Sequence, residues 1–592
     1  MGDNLLNLKR PPAGTALLNW NTELPSSGTG DPLGMTLRVG ARLGAELLHC
    51  ITSITPRARY YSFFPWAFQR AHERTGGMAD FDRAMRLVLI DERAMTLGAV
   101  LHHDGHPCEG GGLQGSSRAA ELAASDAKRS IDLGKWNHLR DNTSGFGAYK
   151  GSLINLGMFE ESMGSDEAAT GEDEEQSTTL ESGKLSARGR QLAEAFGRAV
   201  AGSEFVDLKP ESGSVAFEVL ARFGGLAGLC ELRTADEFDL APLRDLFFAT
   251  DNDDQLNSHF RRRMSLLLLL WAVDVTSDAG HDLDAQSFDD LTYYRLIADE
   301  EGDDIPVEVP QPLVDIAERW RIFHFHNYLT TALETLLAGL VRAIRYHPAG
   351  RTVGEVLEAF DSPESRAVFS EHLSVDLPKP LLDLTPAELL TLNGINFAGA
   401  MSEAADVAGI FETNPLAERA LRSALVDEDL VSGPAGPAIA TVLLFTLLLR
   451  YELTVDEAHK GWNRQKVLHP FADVAMPTVA QGLALELGKD WWILPNRKVL
   501  SLVLSRFVVR QHETMSYEKG FGGSPPLFRV DGAAIVGTDL MRDDVYPGNP
   551  RFPSALQVLR DLRLIVSDPE EGQYLTPGGR DMLDAFRTGA GS

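Results

Sequence analysis

Two stretches at opposite ends of the chain follow one pattern, and that pattern constrains the fold more than any single motif does. The first is YKGSLINLGMF, Tyr149 to Phe159, continued after an interruption by KLSARGRQLAEAF, Lys184 to Phe196; the second is PSALQVLRDLRLIVSDPEEGQYLTPGGRDMLDAF, Pro553 to Phe586. Both run from an amphipathic helix into Leu-x-x-Leu-x-apolar-apolar. A polar turn, a short extended stretch ending in Leu-Ser or Leu-Thr, a Gly-Arg pair and a closing helix follow. Leu153, Leu156 and Met158 correspond to Leu559, Leu562 and Leu564, and Leu185-Ser186 to Leu575-Thr576. The spacing predicts a helix packed on its apolar side, a hairpin folded back beside it, and Ser186 or Thr576 capping the next helix.

This layout resembles the end of a winged helix-turn-helix module. The resemblance implies a third helix able to lie in a DNA major groove with cations on its exposed face. The residues in that place here are Lys150 in the first copy and Arg560 and Arg563 beside Asp561 in the second. So few phosphate contacts leave a protein-binding role open as well, since fold does not fix function. In the first copy the wing is replaced by EESMGSDEAATGEDEEQSTTLESG, Glu160 to Gly183, which contains no Lys or Arg. Such a composition cannot bury enough apolar surface to offset ordering entropy, so a mobile acidic insertion is expected at 160–183.

Between the copies the chain reads as helix. In the stretch Val314 to Ile344, Leu333, Leu336, Leu337, Leu340 and Val341 recur at three-and-four spacing, and Lys498 to Met515 reads as another long helix. Gly-Pro joints at Val431 to Pro437 and Gly522 to Pro526 mark boundaries. The expected architecture is mainly α, a multi-domain helical protein with two small winged-helix (α+β) modules. Its expected segments are an N-terminal helical domain (1–145), the interrupted module (146–200), a central helical domain (201–430), a second helical domain (431–545) and the C-terminal module (546–592). A length of 592 residues is consistent with several cores rather than one.

Composition excludes several classes. Cys50, Cys108 and Cys230 are too few and too scattered for a disulfide framework, which fits a reducing cytoplasm. The N-terminus has no apolar signal core, and the runs Met264 to Val273 and Ala438 to Leu449 are shorter than a membrane span requires. No membrane partner is expected. The net charge of −30 opposes indiscriminate coating of nucleic acid, yet residues 1–159 carry 17 Lys and Arg against 15 Asp and Glu. Any nucleic-acid surface is therefore expected in that quarter. No phosphate-binding glycine loop of the GxxxxGK[ST] kind occurs, so no nucleotide is expected, and no cofactor.

In that quarter stands TPRARYYSFFPWAF, Thr55 to Phe68, with six aromatic residues in nine positions from Tyr60 to Phe68. Helical spacing predicts that Tyr60, Phe63, Phe64 and Phe68 are core rather than a base-stacking platform. Arg57 and Arg59 fall at a helix start, where the helix dipole disfavours cations, so an anion from the protein or from a ligand is expected beside them. The signature Thr-x-Arg-Ala-Arg-Tyr-aromatic-x-Phe-x-Pro-Trp resembles the opening of a group of large prokaryotic proteins often encoded in anti-phage defence islands. GLQGSS, SGFGAYKGSLINLGMF and SRFVVRQHETM are similar to later stretches of that group.

The stretch VLHHDGHPCEGGG, Val100 to Gly112, is the most chemical-looking. His103-Asp104 resembles the His-Asp pair of HD phosphohydrolases, which implies a metal-activated hydroxide, although separate flanking ligands are not evident. His102, His103, His106 and Cys108 are candidate metal ligands, but adjacent ligands reach one ion poorly. A polar turn between two helices is the simpler reading. The expected function is thus a non-catalytic DNA-binding or adaptor subunit of an anti-phage defence complex, contacting double-stranded DNA or a partner through Arg57, Arg59, Lys150, Arg560 and Arg563. An ATPase or nuclease is the expected protein partner. The alternatives are an HD-type phosphohydrolase or nuclease centred on His103 and Asp104, and a structural scaffold. The sequence sets no oligomeric state.

Overall fold

A computed structural model describes residues 32–588 apart from 161–182, 393–417, 454–478, 542–550 and several shorter stretches. The chain is mainly helical, with small antiparallel sheets only. Among the described residues no helix is long and apolar enough to cross a membrane. Residues 161–182 of the acidic insertion, and Cys108, lie outside the described residues. The chain divides into two compact units. One comprises Gly44–Arg321 with Pro550–Ser592, the other Met1–Leu43 with Ile322–Asn549.

The first unit contains both patterned stretches. Its helices are α1 (Tyr60–Arg74), α2 (Phe81–His102), α3 (Gly145–Asn155), α4 (Ala187–Val200), α5 (Phe217–Ala227), α6 (Leu240–Phe248), α7 (Ser258–Asp278), α8 (Phe552–Asp561) and α9 (Pro577–Arg587), with others between them. Strands β1 (Ile565–Asp568) and β2 (Gly572–Leu575) form an antiparallel hairpin between α8 and α9, pairing Ile565 with Leu575. Between α3 and α4 the described residues include one bridge, Phe159 with Leu185.

α1 is buried further round than an amphipathic helix would be. Every residue from Tyr60 to Phe68 is buried, and Tyr60 stacks on Phe64 and tilts against Tyr149 of α3. Pro65 lies inside α1, where it supplies no N–H for the helical bond to the residue four positions earlier, and the burial of the aromatic residues around it offsets that loss. α3 is set in place by Glu92 of α2, whose carboxylate accepts from the Gly145 N–H at 2.6 Å, satisfying one donor at the helix start.

The two patterned stretches share more than their sequence. After α3 the chain closes with Met158 N–H to Leu153 carbonyl at 3.0 Å and Ser186 N–H to Met158 carbonyl at 3.0 Å; after α8 the same bonds join Leu564 to Leu559 and Thr576 to Leu564, both at 3.0 Å. Gly157 (φ +69°) and Arg563 (φ +54°) take the left-handed conformation at the same point. Ser186 and Thr576 cap α4 and α9 by accepting from Gly189 and Gly579, each at 3.1 Å. A Cβ at Gly189 or at Gly579 would lie 2.1 Å from a backbone oxygen, of Met158 or of Leu564. Only glycine lets the closing helix approach this closely.

In the second unit the most buried helix is Gly436–Leu453, beside the continuation of the helix Val314–Arg345. The stretch predicted as one helix from Lys498 begins as Asn496–Leu502, widens to π-helical turns over Val503–Arg510, and resumes as Gln511–Gly520. His512 is held in one tautomer: its Nε2 accepts from Leu527 N–H at 2.9 Å, so Nδ1 donates to the Pro32 carbonyl at 3.1 Å. Asp361 accepts from the N–H groups of Leu381 and Leu382 at 3.1 and 3.0 Å. Arg351–Thr352, Ala534–Gly537 and Phe528–Asp531 make a three-stranded antiparallel sheet.

Gly579→Ala should lower unfolding stability by about 1–3 kcal/mol, because the added methyl must displace backbone rather than a flexible side chain. At the neighbouring Gly578 a Cβ meets nothing closer than 3.6 Å, so Gly578→Ala should be neutral or slightly stabilising; urea unfolding of the two variants compares them.

Candidate nucleic-acid interface

The arginines of the Arg-Ala-Arg signature find their anions inside the protein. Arg57 Nε lies 2.9 Å from Asp561 Oδ2 at the end of α8, and the Ala58 N–H donates to the same oxygen at 2.9 Å. Gln557 donates to the other oxygen at 3.0 Å. Burial pushes the Asp561 carboxyl above its usual range, and the Arg57 guanidinium and the hydrogen bonds pull it back. Arg59 pairs with Asp239 at 3.2 Å, donates to the Gly228 carbonyl at 2.6 Å and lies over the Phe196 ring. Asp239 also accepts from Ser62 at 2.6 Å. Arg57 is 1% exposed and Arg59 0%. Both are therefore corrected from surface contacts to structural ion pairs.

The other expected contacts are not gathered in one place. Lys150 is half-buried on α3. Arg560 is half-buried and donates to Ser567 of the hairpin at 3.0 Å. Arg563 is exposed, and its backbone carbonyl is held by Arg244 at 3.2 Å. His102, His103 and Asp104 occupy the turn that ends α2, where Asp104 (φ +53°) and Gly105 (φ +92°) reverse the chain. Among the described residues no group of three His, Cys, Asp or Glu could hold a metal ion, so His102, His103 and His106 do not assemble a centre.

A different cationic cluster is assembled in the first unit from residues far apart in sequence. At its centre is Arg262 of α7, 1% exposed, whose guanidinium donates only to backbone: to Leu246 at 2.9 Å, Phe247 at 3.3 Å and His49 at 3.3 Å. Leu246 and Phe247 end α6, so the cation sits at the negative end of that helix. Among the described residues no carboxylate pairs with it. Beside it, the His49 and His259 rings meet edge to face at 5.1 Å. Arg261 reaches the Glu46 carbonyl at 3.4 Å, and the exposed Arg188 in the first turn of α4 adds its charge to His259 and Arg262.

The electrostatic consequence is visible in the histidines. Burial, then the charges of His259, Arg262 and Arg261, bring His49 down to about 4, and burial, Arg262 and Arg188 lower His259 as well. The charges of Arg262, Arg261 and Arg188 that lower the two rings are positive. A cationic arrangement of this kind can attract a phosphate or carboxylate oxygen. Comparison with known protein families, with curated proteins and with solved structures returns no match.

Sequence reasoning missed this cluster. Arg261 to Arg263 register in the sequence as the edge of an apolar run, and nothing local links them to His49 or Arg188.

The histidines set a pH dependence of stability. A folded-state pKa below the unfolded value means the unfolded chain binds the proton first as pH falls. The stabilisation from neutral His49 should be complete above about 6.5 and lost by about 4. Thermal unfolding followed from pH 7 to 4 should show this decline, and His49→Gln should flatten it.

Proposed function

We propose that this chain is a non-catalytic DNA-engaging adaptor subunit of a prokaryotic anti-phage defence complex. The two helix–hairpin–helix stretches act in it as winged-helix modules, and an ATPase or nuclease is the partner that performs chemistry. The observation that carries the reading is the cluster around Arg262: a buried guanidinium with no carboxylate partner among the described residues, two histidines shifted down by burial and by neighbouring cations, and Arg188 at the surface, on a chain of net charge −30. A local positive site on an acidic chain favours a confined contact with a few phosphates over coating of a long duplex. Arg188 stands at the start of the helix that closes the first winged-helix-like stretch, which ties the cationic site to that module. The defence assignment rests on the likeness of the Arg-Ala-Arg-Tyr signature and its companion stretches to defence-island proteins.

Fluorescence anisotropy with a short labelled duplex tests the reading. Binding should weaken linearly in log–log coordinates as salt rises, with a slope of about −2 to −3 for two or three phosphates neutralised. Arg188→Glu should weaken it by about tenfold or more, and lowering the pH from 7 toward 5 should strengthen it, because a bound phosphate favours protonated His49 and His259. No duplex binding at low salt would remove the DNA role, and capture of a partner protein without DNA would leave the scaffold alternative.

A further inference from the structure

Cys230 and His103 form a pair that the proposed DNA contact does not use. They lie 127 positions apart in sequence, and His103 Nε2 is 3.2 Å from Cys230 Sγ, within hydrogen-bonding distance for sulfur. Both side chains are half-buried, so a small molecule can reach them.

The pair is built by a close helix contact. Gly98 of α2 and Gly224 of α5 touch backbone to backbone: a Cβ on Gly224 would lie 1.9 Å from the Gly98 carbonyl carbon, and one on Gly98 would lie 2.4 Å from the Leu220 oxygen. From that contact both chains leave their helices within a few residues, α2 into His103 and α5 through Gly228 into Cys230. A Cβ on Gly225 would meet the His102 ring at 2.8 Å, so the turn carrying His103 is packed against α5 and not free to swing. The pair is thus positioned by rigid elements.

We propose that Cys230 is a modification site, a thiol activated by His103 for reaction with small electrophiles of the hydroperoxide class. A thiol within hydrogen-bond reach of an imidazole can pass its proton to the ring, giving the thiolate nucleophile. His103 directly follows the C-terminal end of α2. The His102 ring, 5.1 Å away edge-on, and Asp104 in the next position are the titratable neighbours on that turn. In the reaction the Cys230 sulfur attacks one peroxide oxygen, the S–O bond forms and the O–O bond breaks. Cys230 is oxidised to the sulfenic acid, the peroxide is reduced, and the leaving oxygen takes the proton held on His103 Nε2. Cys50 provides the contrast within the chain, since burial pushes its thiol up to about 12 and leaves it inert.

The test is the pH profile of alkylation by iodoacetamide, read at Cys230 by peptide mass spectrometry on the full chain carrying Cys108→Ser. The expected profile has its midpoint at least about one unit below the ~8.5 of an ordinary thiol. His103→Gln should return the midpoint to about 8.5 and slow labelling at pH 7 by about tenfold. Hydrogen peroxide followed by dimedone should place a sulfenic adduct on Cys230 and not on Cys50. An ordinary midpoint in the parent chain overturns the proposal, as does a low midpoint that His103→Gln leaves unchanged. If His103→Gln does not fold, the parent profile and the dimedone adduct decide.

Discussion

The first unit depends on neutralising two cations at the start of its most buried helix. Arg57 and Arg59 precede Tyr60–Phe68, a run with no exposed face, so neither guanidinium has water to turn to. Desolvating an ion costs several kcal/mol, and only a well-placed, hydrogen-bonded counter-ion offsets that. Asp561 and Asp239 meet the condition, each bound by more than its arginine: by Ala58 N–H and Gln557 in one case, by Ser62 in the other. Asp561 comes 504 residues after Arg57, so the C-terminal helix–hairpin–helix stretch is part of the N-terminal core rather than an appendage. A charge near the beginning of the chain stays uncompensated until the end has been made.

That arrangement separates architecture from function within one motif. The basic and aromatic residues of RARYYSFFPWAF have the composition of a nucleic-acid platform, but their energetics are those of a core. The guanidinium that has no carboxylate partner among the described residues is elsewhere, at Arg262, where the negative end of α6 and backbone carbonyls solvate it without cancelling its charge. The difference between the two arginine sets is one of partners. Carboxylates make Arg57 and Arg59 internally complete, whereas carbonyl dipoles leave Arg262 able to project a positive potential onto His49 and His259.

What could be read from the sequence follows the range of the interactions. Periodicity marked Tyr60, Phe63, Phe64 and Phe68 as buried, and the helix dipole required an anion beside Arg57 and Arg59, because both inferences use neighbours in sequence. That the anions are Asp561 and Asp239 could not be read, since these pairs span 504 and 180 positions. The shared pattern of Leu153 to Ser186 and Leu559 to Thr576 was legible because capping and the helix-to-extended switch are local. The backbone contacts that oblige Gly189 and Gly579 to be glycine appear only in three dimensions. The turn after α2 was legible from His-Asp-Gly-His-Pro, but its partner Cys230 was not. The cluster of His49, Arg188, His259 and Arg262 arises wholly from tertiary packing and left no periodic or motif signal.

The most direct measurement is a double-mutant cycle on the Arg57–Asp561 pair, with Arg57→Met, Asp561→Leu and the double variant compared by urea unfolding. If each residue is the other's counter-ion in a dry core, each single variant strands a buried charge and loses about 3–5 kcal/mol, while the double variant recovers at least about 2 kcal/mol of the summed loss. Additive losses with no coupling would contradict internal neutralisation of Arg57 and return it to the surface as a cation available to an external anion.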